Sequence, residues 1–253
     1  MRTRVVALLG VLVLWAVVSH GNRLFAVIPP ALLPTPGEVG KVFVDTLRDG
    51  TLPRHVATSL GRVAVGFGIA AAAALTLGLL AAMCVPIRLM VEPVIEFVRP
   101  IPPLAFLPLF LMWFGLGEAS KVAFIGYTTF FPMFIACAAA VLRVDVGLLR
   151  AAASLGAGHL DLIRRVIVPA ALPGIIVALR LGFALALFVI VGAEFMGADS
   201  GLGYLIMEGR TFFVPAQIVM GALVLGLLGS LVNALLLAIE RRLFRWREAG
   251  ATS

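Results

Sequence analysis

The chain has 253 residues, 62% of them apolar and only 13% charged, about half the charged share of an ordinary soluble domain. A soluble fold of this length has too little interior to hide so much apolar surface, so lipid must cover it, and the composition points to an all-α polytopic membrane protein. The net charge of +7 would suggest nucleic acid on a soluble chain, but here Lys and Arg sit at the edges of apolar runs, where they orient a membrane protein. One membrane domain over residues 1–253 is expected, with membrane lipid and no nucleic acid as a partner.

Six apolar windows, roughly 5–19, 60–83, 95–115, 121–142, 170–193 and 216–239, predict about six transmembrane helices. The first is short and follows Arg2 and Arg4, which leaves a cleaved signal peptide as an alternative. The stretch WAVVSHGNR offers no small-x-small cleavage site, so a retained helix reaching toward Leu24–Ile28 is the favoured reading. Between the first two windows, Pro29, Pro30, Pro34 and Pro36 predict an extended stretch. Val39, Val42, Phe43 and Leu47 then share a helical face, and Asp49-Gly50 closes it. A helix lying along the outer membrane surface and an ordinary packed loop helix fit this segment equally well.

The third window carries Pro100, Pro102, Pro103 and Pro108, which predict a broken helix buried in the bundle and bordering the pathway. A helix beginning at Pro102 or Pro103 would absorb three of the four and leave Pro108 inside it. Arg99 and Pro108 are therefore pathway candidates. Cys84 and Cys137 lie in apolar runs and read as small buried fillers.

Between the fourth and fifth windows stands a polar insert, residues 143–169. Asp145 can cap a helix over Val146–Leu155, and Gly156-Ala157-Gly158 ends it. Leu148, Leu149, Ala152 and Leu155 are expected on one face, and Ala151, Ala152 and Ala153 keep the helix thin enough for a groove. His159 opens the return to the membrane, with Arg164 and Arg165 at headgroup level and Pro169 beyond. An interfacial helix without a partner is the alternative.

In the fifth window Arg180 falls about midway. An intramembrane charge needs a partner or water, so it either attracts an anion in the pathway or is structural, paired to a carboxylate such as Glu96 or snorkelling inward, and the structural reading is preferred. Glu194 and Glu118 close spans on the outer side, as interfacial caps or gate contacts. Gly201-Leu202-Gly203-Tyr204 reads as an outer turn, and Asn233 as a packing residue of the sixth span. With the amino terminus inside, Arg2, Arg4, Arg88, Arg99, Arg143, Arg150, Arg164, Arg165, Arg241, Arg242, Arg245 and Arg247 fall on inner segments against Arg23, Lys41, Arg48, Arg54, Arg62, Lys121 and Arg210 on outer ones, a bias toward both termini inside.

No catalytic or metal motif is present, and His20, His55 and His159 are read as lying apart in connecting segments. Without a phosphate-binding loop, any ATP chemistry belongs to another polypeptide.

The insert resembles the coupling loop of ATP-binding-cassette importer permeases. That family's pattern is Glu-Ala-Ala, three residues, Gly, nine residues, then Ile-x-Leu-Pro. This chain has Arg150-Ala151-Ala152, Gly156 and Val166-Ile167-Val168-Pro169, with Arg150 reversing the charge of the family Glu. The segments LPTPGEV, HVATSLGRVAVGF, RPIPPLAFLPLFLMWFGLGEASK and VGAEFMGADSGLGYLIMEGR resemble the sulfonate, taurine and nitrate branch. The resemblance implies a type I importer permease fold in a bacterial inner membrane, and a non-catalytic subunit whose coupling residues are Leu148, Leu149, Arg150, Ala151, Ala152, Leu155, Gly156, Ala157, His159 and Pro169. It further implies two ATPase subunits carrying ATP and Mg, a solute-binding protein, a second permease copy, no cofactor on this chain and a small anionic solute. An ATPase-independent secondary transporter or channel is the alternative.

Overall fold

The computed structural model describes residues Arg2–Leu243. The charges of Arg2, Arg4, Arg241, Arg242, Arg245 and Arg247, on which the inner placement of the termini partly rests, lie outside the residues whose side chains are described. All regular structure among the described residues is helical: α1 (Arg2–Phe25), α2 (Pro36–Arg48), α3 (Thr51–Met83), α4 (Val85–Val98), α5 (Leu107–Phe114), α6 (Glu118–Leu142), α7 (Val146–Ser154), α8 (His159–Asp161), α9 (Val168–Phe195), α10 (Leu202–Thr211) and α11 (Pro215–Leu243).

Among the described residues, four helical stretches are long and apolar enough to cross a membrane: Thr51–Met83, Glu118–Leu142, His159–Phe195 and Pro215–Ala238. A fifth span exists if α4 and the stretch Pro103–Phe114 are counted together, but these are bent by 87° at their break. The amino-terminal helix contributes only a shorter apolar stretch, Leu9–Phe25. Exposed Val65, Ile69, Leu77 and Leu80 on α3 show the apolar outer surface that lipid or another subunit must cover.

The third window is thus not one span but two helices and a corner, and its prolines explain the corner. Pro102 caps a short 3₁₀ turn that begins at Pro103, and Pro108 sits in the first turn of α5. Pro102, Pro103 and Pro108 each stand where a helix starts and their missing N–H breaks no bond, while Pro100 lies in the turn after α4. The expected interior kink at Pro108 is therefore replaced by a fresh helix start.

Contacts divide the chain into two compact units, Met1–Gly61 with Glu194–Leu228, and Arg62–Ala193 with Gly229–Ser253. In the first unit, Val39, Leu52, Leu202, Leu205, Met220 and Val224 form the core, with Trp15, Val42 and Phe43 packed on it. Trp15 Nε1 donates to the Pro34 carbonyl at 3.0 Å, which ties α1 to the proline stretch. A capping box starts α2: Thr35 accepts from Glu38 N and Glu38 Oε2 accepts from Thr35 N at 2.8 Å. Val39, Val42 and Phe43 face this core while Val44 and Leu47 are exposed, so α2 is a packed helix whose predicted face includes one outward residue.

In the second unit, Val63, Leu107, Phe110, Phe124, Ile125, Val189 and Ile190 belong to one core cluster. Ala70, Ala71, Ala74 and Ala81 of α3 pack with Ile95, Met133 and Phe134 in another. The alanines let helix backbones approach closely, as membrane bundles require. Arg62, 2% exposed at its side chain, donates through Nε to Glu118 Oε2 at 2.6 Å, and Lys121 Nζ donates to the Leu116 carbonyl at 2.6 Å. Glu118 thus acts as an ion-pair partner at the start of α6.

Candidate coupling loop and pathway residues

The insert folds as its residues dictate. Asp145 Oδ1 accepts from Gly147 N at 2.7 Å and starts α7. At the other end Ala157 N donates to Ala152 O at 3.1 Å and Gly156 N to Ala153 O at 3.0 Å, with Gly156 at φ +85°. That pair of bonds is a Schellman motif, and its left-handed residue calls for glycine.

The apolar residues expected on one face divide between two. Leu149 packs against Val141, Val144 and Ala171, with Ala152 half-buried, so this side holds the helix to the bundle. Leu148 is 52% and Leu155 89% exposed, and Ala151 and Arg150 are exposed beside them. Residues three and seven apart share a helical side, so Leu148, Ala151 and Leu155 make an outward apolar strip. No ion pair or hydrogen bond engages the Arg150 side chain among the described residues.

Beyond Gly158, exposed His159 opens α8, and residues Leu162–Ile167 form a wide π turn into α9. Pro169 accounts for the widening, because its ring would collide with the Arg165 carbonyl in a regular α turn. The return arm is thereby continuous helix from His159 to Phe195.

Arg99 ends α4 and lines two cavities. One, of about 310 Å³, is walled by Val98, Ile101, Phe131, Ile135 and Leu181, with Tyr127 and Thr128. The other, of about 250 Å³, adds Arg88, Glu92 and Glu96, with Arg88 and Glu92 3.8 Å apart. No ion pair or hydrogen bond engages the Arg99 guanidinium among the described residues. Pro108 is exposed and lines neither cavity.

Arg180 donates to Glu240 Oε2 at 3.0 Å, both side chains being about a quarter exposed (30% and 26%). Of the two structural forms expected, a carboxylate partner and inward snorkelling, the side chain takes the first, and the partner is Glu240 of α11 rather than Glu96. Glu96 belongs to the cavity beside Arg99, whereas the Arg180 guanidinium is taken up by α11.

Glu194 is buried in the first unit, not at an interface with water. Its carboxylate accepts from Ser59 Oγ at 2.8 Å and from Gly203 N at 2.7 Å. Ser59 Oγ in turn accepts from Leu202 N at 2.8 Å, and His55 Nδ1 accepts from Gly201 N at 2.8 Å. The His55 ring stacks on Tyr204 at 5.7 Å. Gly201 caps α10, so the Gly201–Tyr204 stretch is a helix start as well as a turn. His20 and His55 fall in the long helices α1 and α3 rather than in connecting segments, while His159 opens the short α8 of the insert. Asn233 is exposed, with no side-chain partner among the described residues.

Sequence reasoning missed His55 and Ser59. The available signal was their i,i+4 spacing, which puts two polar groups on one side of α3.

Apolar helices long enough to cross a membrane, with a capped helix exposed between two of them, define as a class a polytopic membrane protein with an exposed insert. Residues 74–246 match the family of binding-protein-dependent transport system inner membrane components, and the chain belongs to that family. It is 33% identical over 239 residues to the putative aliphatic sulfonates transport permease of Bacillus subtilis (strain 168), covering 94% of this chain and 85% of that one. The taurine transport system permease of Escherichia coli (strain K12) is 34% identical, with 87% and 82% covered. The nitrate import permease of Leptolyngbya laminosa is 31% identical, with 74% and 67% covered. Among solved structures, an amino acid ABC transporter matches with TM-score 0.63 at 25% identity, over 74% of this chain and 92% of that one. The inward-facing MetNI methionine ABC transporter matches with TM-score 0.61 at 19% identity, over 74% and 96%. The fold is that of type I ABC importer permeases, and the chain is a membrane permease of that kind.

Proposed function

We propose that this permease imports a small anionic solute, a sulfonate, taurine or nitrate, using ATP hydrolysed on partner subunits gripped by α7. Two permease copies work with two ATPase subunits, each carrying its own ATP and Mg, and solute arrives from a binding protein on the opposite face. Both termini and α7 lie on the cytoplasmic side.

The observation that carries this reading is the division of α7 into two faces. Leu149 anchors it beside α6 and α9, while Leu148, Ala151 and Leu155 stay uncovered. A push on the outer strip then reaches both spans, because the helix is fastened to them and the arm through Pro169 is unbroken helix. Burying two leucines on a partner stabilises docking by roughly 3–6 kcal/mol. The solute class rests on the relatives' printed substrates and on Arg99, which leaves one cavity with a positive charge and no carboxylate.

Leu148→Glu with Leu155→Glu is expected to abolish co-purification of the ATPase and solute uptake while the permease still accumulates in the membrane. An ATPase that still copurifies and is still stimulated overturns the docking role. Uptake in proteoliposomes driven by an ion gradient, without ATP, overturns the importer reading altogether.

A further inference from the structure

Both carboxylates of the insert are engaged within it. Asp145 Oδ1 accepts from Gly147 N at 2.7 Å, and Asp161 pairs with Arg165 at 3.1 Å. Arg143, Arg150 and Arg164 are exposed, and no ion pair engages them among the described residues. Arg143 caps α6 and Arg164 lies in the return arm, where basic residues meet lipid headgroups. Arg150 stands on α7 itself, which carries no Asp or Glu. Its neighbours three and four positions away are Val146, Gly147, Ala153 and Ser154, so no carboxylate on its own helix reaches it.

The position of Arg150 says what kind of surface it meets. Leu149 packs on Val141 and Ala171, at the ends of α6 and α9 nearest the insert, so the covered side of α7 faces the spans. Leu148, Ala151 and Leu155 face away from them, with Arg150 exposed beside this strip. An apolar strip edged by a cation and turned from the lipid fits a protein groove with an apolar floor and an anionic rim.

Resting on the ATPase-docking reading above, we propose that Arg150 selects the partner: this permease takes an ATPase subunit whose groove sets a carboxylate opposite Arg150. The planar guanidinium holds that carboxylate through two parallel hydrogen bonds. The family pattern has Glu at this position, and a groove complementary to Glu presents a positive group there. Such a groove meets Arg150 with like charge and is rejected. The leucines supply the grip, and Arg150 supplies the choice of partner.

The test uses the permease in phosphatidylcholine nanodiscs and the ATPase subunit purified from the wild-type transporter, with binding kinetics read by surface plasmon resonance at low and physiological salt. Arg150 is exposed, so its replacements leave the packing of the bundle unchanged. Arg150→Glu is expected to slow association about tenfold and to abolish the acceleration that low salt gives the wild type. Arg150→Lys keeps the charge but loses the fork, so association stays near wild type while dissociation quickens severalfold. Among single carboxylate-to-Lys replacements in the ATPase groove, one is expected to bind the wild type poorly and to restore Arg150→Glu. Arg164→Gln is expected to leave association within about twofold of wild type. Three results overturn the proposal: Arg150→Glu associating as wild type, no ATPase variant restoring it, or Arg164→Gln costing as much as Arg150→Glu, which marks a diffuse field instead of a point contact. A defect in Arg150→Glu that appears only once phosphatidylglycerol is added shows that the arginine serves headgroups, and also overturns it. Leu148→Glu with Leu155→Glu tells the two readings apart. A complex lost in that variant but unaffected by Arg150→Glu sinks the selection alone, whereas a complex intact in both sinks the docking reading as well.

Discussion

The Glu194 carboxylate accepts a hydrogen bond from Ser59 Oγ at 2.8 Å across 135 positions of sequence, and both residues are buried. The same carboxylate takes Gly203 N, so a strand-free turn at the start of α10 is held by side-chain acceptors from two other helices. Buried donors left without such acceptors would each cost about 1–3 kcal/mol.

Gly201 has φ +118°, and a Cβ there would lie 2.3 Å from the Glu194 carboxyl. Gly201→Ala is expected to lower the melting temperature of the detergent-solubilised protein by several degrees. Ser59→Ala, which removes a partner for both Glu194 and Leu202 N, should also lower it. A melting temperature unchanged in both variants would show that the cluster holds nothing together.

The half-buried Arg180–Glu240 pair predicts a specific asymmetry. Removing either charge leaves the other without a partner, at about 1–3 kcal/mol once its partial exposure is allowed for. Arg180→Gln and Glu240→Gln should each destabilise, and the exchanged pair Arg180→Glu with Glu240→Arg should recover part of the loss. Thermal unfolding of the three variants checks this.

The Schellman ending of α7 depends on the left-handed residue Gly156 at φ +85°. Gly156→Val is expected to destabilise that turn by about 1 kcal/mol or more. Faster amide exchange over 151–157 should follow, with little change in the spans. Exchange identical to wild type would show that the turn tolerates a branched side chain.

Placement of α7 on the cytoplasmic side predicts that Leu155→Cys, in a background lacking Cys84 and Cys137, reacts with an impermeant maleimide in inverted vesicles and not in intact cells. The opposite pattern would put the helix beyond reach of a cytoplasmic ATPase.

Hydrogen bonds from Thr35, first its backbone N–H, together with the Arg23 ion pair, lower the Glu38 pKa below its ordinary 4.5. A lowered folded pKa means the ionised form favours the folded helix. The contribution is complete above about pH 4.5, the unfolded value, and is lost as pH falls through the lower folded one. Protection of the first turn of α2 should therefore weaken in acid, and Glu38→Gln should remove that dependence. Exchange rates corrected for intrinsic pH effects measure it.

Much of this was legible in local sequence. The cap at Asp145 and the stop at Gly156 landed within a residue of expectation, because capping depends on neighbours a few positions away. The packed face of α2 was readable for the same reason. The proline-rich third window was readable as broken, but not as an 87° corner, since proline forbids a bond without fixing the direction taken afterwards. The division of Leu148 from Leu149 escaped the apolar pattern because both are leucine, and only packing on the Val141, Val144 and Ala171 cluster separates them.

Sequence alone determined that the chain lives in lipid, where the helix of the polar insert is capped and stopped, and that this helix stands between two spans. These follow from composition and from bonds closed within one or two turns. Tertiary structure decided which partners the charges take: Glu240 for Arg180, Ser59 and Gly203 for Glu194, and none among the described residues for Arg99. Such pairings join residues many turns apart, and nothing in local spacing encodes which helix face meets which.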